Sequence, residues 1–246
     1  MFGKSAWQHV TISLRQANQF NTLPAMVTSE TKPPSNPGNN LPKLWLLTNR
    51  FTTIGQPLPR IVRNCTAAGV KMTIMSETDL APWVALELAE KLAAEMHKHG
   101  GRLLVSERAD LAQLANTDGV IITSSGFPAS RLKKLLNKPS MIGLLVRAEQ
   151  EMIRASLNDI DLVLAVNIFS SEDLNSPPQD SELDRLRSIV DASSVPVVAA
   201  GGMTPQRAPY ALEAGARSIA MSEVAMESLN INQLVQAFRQ AIGGID

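Results

Sequence analysis

Short apolar runs alternate with longer amphipathic stretches along the chain from Leu44 onward. The runs are five or six residues long and apolar at most positions. This is typical of parallel strands that helices cover. The pattern predicts eight strands, over residues 44–48, 71–75, 102–106, 119–123, 141–146, 162–166, 195–200 and 218–222.

Helical patterns separate the apolar runs, for example over residues 81–101 and 180–193. Eight strand–helix units in about 200 residues predict an α/β fold, a single (β/α)8 TIM barrel over residues 43–246. An open, doubly wound sheet is disfavoured because no Gly-x-Gly-x-x-Gly fingerprint follows the first run, where the chain reads Asn49-Arg50-Phe51.

The first 42 residues differ from the rest in composition. Residues 28–42, TSETKPPSNPGNNLP, are rich in proline and small polar residues, so residues 1–42 are predicted to be a flexible extension. Residues 1–29 contain Lys4 and Arg15 but no acid, a composition that transit peptides share. A disordered tail is the favoured interpretation, and the predicted location is therefore the cytoplasm rather than an organelle.

The overall charge excludes some classes of partner. Lys plus Arg and Asp plus Glu both total 23, so no global field attracts nucleic acid or an anionic membrane. No apolar run reaches the length of about 18 residues that a membrane span needs. The single cysteine, Cys65, cannot form an intramolecular disulfide and is predicted to pack in a helix. These features leave a small molecule as the expected partner and self-association as an open question.

In a barrel of this kind, ligands bind at the carboxyl ends of the strands, and phosphate often binds after strands seven and eight. Gly201-Gly202 follows the seventh run, and Thr204-Pro205 is predicted to begin the next helix. Met-Ser-Glu at 221–223 lies at the end of the eighth run. Backbone N–H groups at Gly201-Gly202 could hold a phosphate, or the glycines could only form a tight turn.

Three segments resemble a known family most specifically: ETDL at 77–80, SERADLA at 106–112 and PVVAAGGMTP at 196–205. They are similar to Glu-Lys-Asp-Leu, Asn-Asp-Arg-x-Asp-Leu-Ala and Pro-Val-Val-Ala-Ile-Gly-Gly-Ile-Thr-Pro. From about Leu44 to Met226 the chain resembles thiamine phosphate synthase and its TenI-type relatives. The resemblance implies a barrel enzyme that joins an aminopyrimidine diphosphate to a thiazole phosphate, with Mg²⁺ on the leaving pyrophosphate.

The sequence departs from that family where the family's chemistry lies. The Gln-x-Arg after strand two corresponds to Ile74 and Ser76, which cannot replace a hydrogen-bonding amide and a guanidinium. The first of the two magnesium-binding aspartates corresponds to Glu107, and the second to Gly126, which has no side chain. The resemblance therefore implies Mg²⁺ with Glu107 as the remaining carboxylate ligand.

Further departures concern phosphate and proton transfer. SSEDLN at 170–175 replaces Pro-Thr-x-Thr-Lys, so a lysine is lost while Glu172 and Asp173 add negative charge. Glu223 stands in place of a serine that helps to hold thiazole phosphate. Arg147 stands in place of the histidine of tautomerase relatives; it cannot relay a proton, and it either holds an anion or caps a surface loop.

Pattern and resemblance together give a set of candidate site residues. Glu107, Arg108 and Arg147 are the predicted catalytic residues, and Glu107 is also the predicted metal ligand. Capping roles compete with these assignments, since Asp110 is placed to pair with Arg108. The predicted substrate-binding residues are Ser76, Glu77 and Ser124, and the predicted phosphate-binding residues are Gly201, Gly202, Met221 and Ser222.

Two functions follow as expectations. The first is a thiamine phosphate synthase or TenI-like protein of thiamine biosynthesis or salvage, with weakened or lost coupling activity. The alternative is a catalytically inactive barrel that binds a phosphorylated ligand or a protein partner. Fold does not decide between them, because function depends on the site.

Overall fold

The structure is a computed structural model. It describes residues 41–136, 140–154, 157–170, 173–174 and 176–245. Residues 1–40, most of the predicted extension, lie outside the described residues. Leu41 is 3% exposed and packs with the residues inside the barrel. No helix in the described ranges is long and apolar enough to cross a membrane.

Eight parallel strands form a closed barrel in sequence order, as the alternation predicts. Closure comes from the pairing of the first strand with the last. The strands are β1 (Leu44–Leu47), β2 (Met72–Met75), β3 (Arg102–Ser106), β4 (Gly119–Thr123), β5 (Met141–Val146), β6 (Leu162–Ala165), β7 (Val197–Ala200) and β8 (Ser218–Met221).

Helices follow the strands and cover the barrel. A short 3₁₀ helix, Arg50–Thr52, comes directly after β1. The α-helices are α1 (Leu58–Ala67), α2 (Pro82–Lys98), α3 (Ala109–Leu114), α4 (Ala129–Leu135), α5 (Glu149–Arg154), α6 (Asp180–Ala192), α7 (Ala208–Glu213), α8 (Glu223–Met226) and α9 (Ile231–Ala241).

The predicted helix start at Thr204 is wrong by four residues, since α7 begins at Ala208. Residues 205–207 form a turn, and the Thr204 carbonyl accepts hydrogen bonds from the N–H groups of Arg207 and Ala208. Pro209 gives the physical reason. Proline lacks an N–H and is tolerated in the first helical turn but not in the interior, so the helix begins one residue before it.

Two buried apolar clusters divide the core. The larger lies between strands and helices and contains Cys65, which is 1% exposed and whose thiol pKa is raised to about 12 by burial. The smaller fills the barrel interior around Trp45. Trp45 pairs in register with Ala220, whose small side chain leaves room for the indole. The indole Nε1 donates to the Pro42 carbonyl at 2.8 Å.

Two aspartates join neighbouring strands at their amino ends. The Asp118 carboxylate accepts a hydrogen bond from the N–H of Leu103 at 2.9 Å, and Asp161 does the same for Ile142 at 2.8 Å. His97 also contacts the Asp118 carboxylate at 2.8 Å. These pairs fix the register of β3 with β4 and of β5 with β6.

Gly119→Ala is expected to lower the free energy of unfolding by about 1–3 kcal/mol, the usual range for overpacking. A Cβ at this position would lie 2.2 Å from the Met141 carbonyl oxygen on β5. Urea denaturation of the full chain measures the loss. Gly126→Ala is the matched control, since its Cβ would come no closer than 3.2 Å to another heavy atom. Equal losses in the two variants would contradict the steric explanation.

Candidate functional site

The carboxyl ends of β1 and β2 are tied together by hydrogen bonds. Glu77 is only 6% exposed, and its carboxylate accepts from the Thr48 hydroxyl at 2.6 Å and from the Arg50 N–H at 3.0 Å. The Ser76 hydroxyl donates to the Thr48 carbonyl. The predicted substrate-binding residues Ser76 and Glu77 therefore serve to join the two strand ends.

Arg50 is the cationic group at this part of the mouth. Its guanidinium pairs with the Asp79 carboxylate and stacks over the Phe51 ring, with its central carbon 3.9 Å from the ring centroid. Phe51 is 73% exposed, so this stack lies at the surface. The ion pair between Arg50 and Asp79 was not predicted from the sequence.

The end of β3 carries Glu107 and Arg108, two predicted catalytic residues. Glu107 is exposed and has φ +62°, an uncommon backbone conformation for a residue with a side chain. Its carboxylate forms no hydrogen bond or ion pair with another described residue. Arg108 instead makes a two-pronged ion pair with Asp110, at 2.8 and 2.6 Å. This hydrogen bond lowers the pKa of Asp110.

The two positions that correspond to magnesium-binding aspartates lie side by side. Glu107 and Gly126 line the same 90 Å³ cavity, whose other walls include the apolar side chains of Ile122, Phe127 and Leu132. Mg²⁺ prefers about six hard oxygen ligands in octahedral geometry, and one carboxylate with Thr123 beside it among apolar groups does not supply them. Among the described residues, no three His, Cys, Asp or Glu side chains are grouped to hold a metal ion. These residues do not fit a metal held by the protein alone.

The remaining predicted polar residues are Ser124, next to the Glu107 cavity, and Arg147, after β5. Ser124 lines a second cavity of 330 Å³ together with Phe127 and Asp159. Arg147 has a side chain that is 59% exposed and lies 4.0 Å from Glu151, whose carboxylate also accepts from the Arg147 N–H at 3.0 Å. Arg147 thus lies at the surface just before α5, and its two predicted roles, holding an anion and capping a loop, stay predictions.

Gly201 and Gly202 lie against the loop that follows β6. Both have positive φ, +99° and +56°. A Cβ on Gly201 would lie 2.7 Å from Cα of Asn167, and one on Gly202 would lie 2.6 Å from the carbonyl oxygen of Phe169. Backbone conformation and close approach therefore both require glycine, which supports the tight-turn account of this pair.

Arg207 holds that loop in place, and sequence reasoning missed it. The residue is 3% exposed, and its guanidinium donates to carbonyls of the loop and of the glycine turn. The bonds to Ser170, Ser176 and Gly202 are 2.7, 2.9 and 3.1 Å long, and a fourth reaches the Asp173 carbonyl. No composition or spacing in TPQRAP signals this role. Glu172, predicted to repel phosphate, lies outside the described residues.

A cavity of 550 Å³ opens beside the glycine turn, and we call it the β6–β8 cavity. Its volume is in the range of small-molecule sites. Its wall combines two carboxylates, one guanidinium and several neutral groups: Asn167, Phe169, Ser170, Ser181, Glu182, Arg185, Gly201 and Glu223.

Most charged groups of the β6–β8 cavity already have partners. The Glu182 carboxylate accepts from the N–H groups of Ser170 at 2.6 Å and Gln179 at 2.8 Å. The Arg185 guanidinium donates through one nitrogen to the carbonyls of Asn167 and Ile168. Its Nε is buried without a partner among the described residues. The Glu223 carboxylate likewise has no hydrogen bond or ion pair with a described residue.

Two of the predicted phosphate-binding residues, Met221 and Ser222, lie at the end of β8 and are both buried. Met221 is fully buried in the cluster between strands and helices, so its side chain faces away from the barrel axis and only its backbone can reach a ligand. Ser222 is 5% exposed, and its carbonyl accepts from the N–H groups of Ala225 and Met226 in α8.

The family model described as thiamine monophosphate synthase matches residues 44–224. A thiamine-phosphate synthase of Syntrophomonas wolfei is 27% identical over 80% of this chain and 94% of its own. One from Clostridium acetobutylicum is 26% identical over 73% of this chain and 84% of its own.

Among solved structures, thiamine phosphate pyrophosphorylase from Pyrococcus furiosus superimposes with a TM-score of 0.70. It is 23% identical, and the match covers 82% of this chain and 95% of that one. The structure thus belongs to the class of (β/α)8 barrels with cavities at the strand ends. The chain belongs to the thiamine monophosphate synthase (TenI) family, whose members act in thiamine biosynthesis.

Gly202→Val is expected to lower the free energy of unfolding by about 3 kcal/mol or more, because it combines backbone strain with a clash against the loop carbonyls. Urea denaturation measures the loss. Gly55→Val is the matched control, since Gly55 has φ +80° but no heavy atom within 4 Å of its Cβ position. It should lose only the strain component of about 1–3 kcal/mol. Similar losses in both variants would contradict a requirement for close approach.

Proposed function

We propose that this chain is a thiamine phosphate synthase-like protein that retains a small-molecule site at the barrel mouth but couples the two thiamine precursors at a strongly reduced rate. The observation that carries the proposal is the cavity shared by positions 107 and 126, which holds one carboxylate where the resemblance expects two. The replacement of the family's Gln-x-Arg by Ile74 and Ser76 adds to it, because neither side chain can supply the charge of a guanidinium.

The proposed ligand contacts lie at two places on the mouth. Glu107 would supply one carboxylate to a magnesium ion that arrives with a diphosphate, and Ser124 lies in the neighbouring cavity. Backbone groups of Gly201 would contact a second ligand at the β6–β8 cavity, whose lining residue Glu223 directly follows Ser222 in the chain. When bound, Mg²⁺ would neutralise charge on the leaving pyrophosphate, which is the chemistry that this site supplies least well. A cytoplasmic location suits such a role.

Incubation with aminopyrimidine diphosphate, thiazole phosphate and Mg²⁺ tests the proposal. Turnover to thiamine phosphate is expected to be at least about 100-fold slower than that of the Syntrophomonas wolfei relative, since loss of one preorganised charged group typically costs this much. Chromatographic detection of product measures it. Glu107→Ala should abolish a residual rate that depends on magnesium.

Two other results would change the conclusion. A rate equal to that of the relative would contradict the proposal and show that other residues replace the missing ones. Complete absence of product, with ligand binding intact, would favour the second candidate, a binding barrel without catalysis. That candidate is favoured by the exposed position of Arg147.

Gly126→Asp is expected to strengthen Mg²⁺ binding at least tenfold, because it adds a second carboxylate to the cavity that Glu107 lines. The backbone accepts a side chain here with little movement, since the nearest heavy atom to the new Cβ is the Thr123 carbonyl oxygen at 3.2 Å. Calorimetric titration with Mg²⁺ measures the change. Gly126→Asn, of equal size but without charge, is the control, and equal affinities in the two variants would contradict the expectation.

A further inference from the structure

The charge of the β6–β8 cavity does not suit a phosphate. Two carboxylates and one guanidinium line it, so the wall is net negative. A phosphate ester carries up to two negative charges near neutral pH, and like charges brought together in a partly enclosed site repel strongly. The cavity is therefore better matched to a neutral or cationic ligand than to a phosphorylated one.

Glu223 is the charged group that a ligand would meet. The Glu182 carboxylate is occupied by two backbone N–H groups, and the Arg185 guanidinium is directed to backbone carbonyls. Glu223 lines the same cavity and has no partner among the described residues. A carboxylate with free oxygen lone pairs accepts hydrogen bonds, and charged acceptors form the stronger ones.

The Glu223 carboxylate shares its cavity with the glycine turn at Gly201. Gly201 and Glu223 follow consecutive strands of the barrel, and both contribute to the wall of the β6–β8 cavity. A ligand bound in this cavity against the turn therefore shares it with the Glu223 carboxylate. A hydroxyl or amine on the ligand would donate to Glu223, whereas a phosphoryl group, which is mostly doubly ionised at neutral pH, would repel it.

We propose that Glu223 determines the ligand specificity of the β6–β8 cavity by favouring a hydroxyl- or amine-bearing heterocycle over its phosphate ester. The proposal rests on the proposed function, because it concerns the second ligand site assigned there. The ligand of the β6–β8 cavity is then a heterocycle with a free hydroxyl or amine and no phosphate. The residue acts as a fixed anion in the position that a ligand phosphate would otherwise occupy.

Calorimetric titration of the full chain with hydroxyethylthiazole and with its phosphate ester tests this. The alcohol should bind at least tenfold more tightly than the ester. Glu223→Gln should raise the affinity for the ester at least tenfold and lower that for the alcohol. Glu227→Gln is the control, because Glu227 is exposed and does not line the cavity. It should leave both affinities unchanged.

Salt provides a second measurement that needs no variant. Ionic screening weakens repulsion, so raising the salt concentration should improve binding of the ester to the wild-type protein and narrow its gap to the alcohol. Ester binding as tight as that of the alcohol, or a ratio unaffected by Glu223→Gln, would overturn this inference and leave the proposed family function standing. If neither ligand releases or absorbs heat, both the role of Glu223 and the proposed second ligand site would be overturned. The proposed coupling activity is tested separately by the assay with both precursors.

Discussion

Closure of the barrel by the pairing of β8 with β1 is the constraint on which the rest depends. The N–H of Ile219 donates to the Lys43 carbonyl at 2.8 Å, and with this contact the sheet has no open edge. Closure requires an interior that is filled, and Trp45 beside small residues such as Ala220 meets that requirement. It also directs the carboxyl ends of all eight strands to one mouth, where every candidate group lies.

The two halves of the mouth differ in how their polar groups are used. At β1 to β3 the charged side chains pair with one another, as in the ion pairs of Arg50 with Asp79 and of Arg108 with Asp110. These pairs stabilise strand ends and first helical turns, and they leave Glu107 as a lone exposed carboxylate. At β6 to β8, main-chain carbonyls satisfy the buried Arg207, and a cavity remains beside them. The cavity beside the glycine turn is 550 Å³, whereas the one that Glu107 lines is 90 Å³.

The sequence predicted the barrel well, because buried parallel strands and amphipathic helices leave strong periodic signals. The Arg108–Asp110 pair was also anticipated, since both residues lie in one helical turn. Arg207 could not be predicted, because its partners are backbone carbonyls of a loop more than thirty residues away, and carbonyls carry no sequence signal. The outward direction of Met221 and the neighbouring positions of Glu107 and Gly126 likewise depend on strand register, which composition and spacing along the chain do not specify.

The hydrogen bonds of Arg207 bear on how far the sequence of the loop after β6 can change during evolution, because they are made to main-chain carbonyls. Every residue of a protein carries a carbonyl, so the hydrogen bonds of the Arg207 guanidinium make no demand on the side chains of the residues that accept them. These hydrogen bonds would survive exchange of Ser170, Asp173 or Ser176, although the ring of Phe169 under the guanidinium and the bond from the Ser176 hydroxyl to the Asp173 carboxylate do depend on side chains. Such an arrangement lets the wall of the neighbouring cavity evolve new chemistry without loss of its shape.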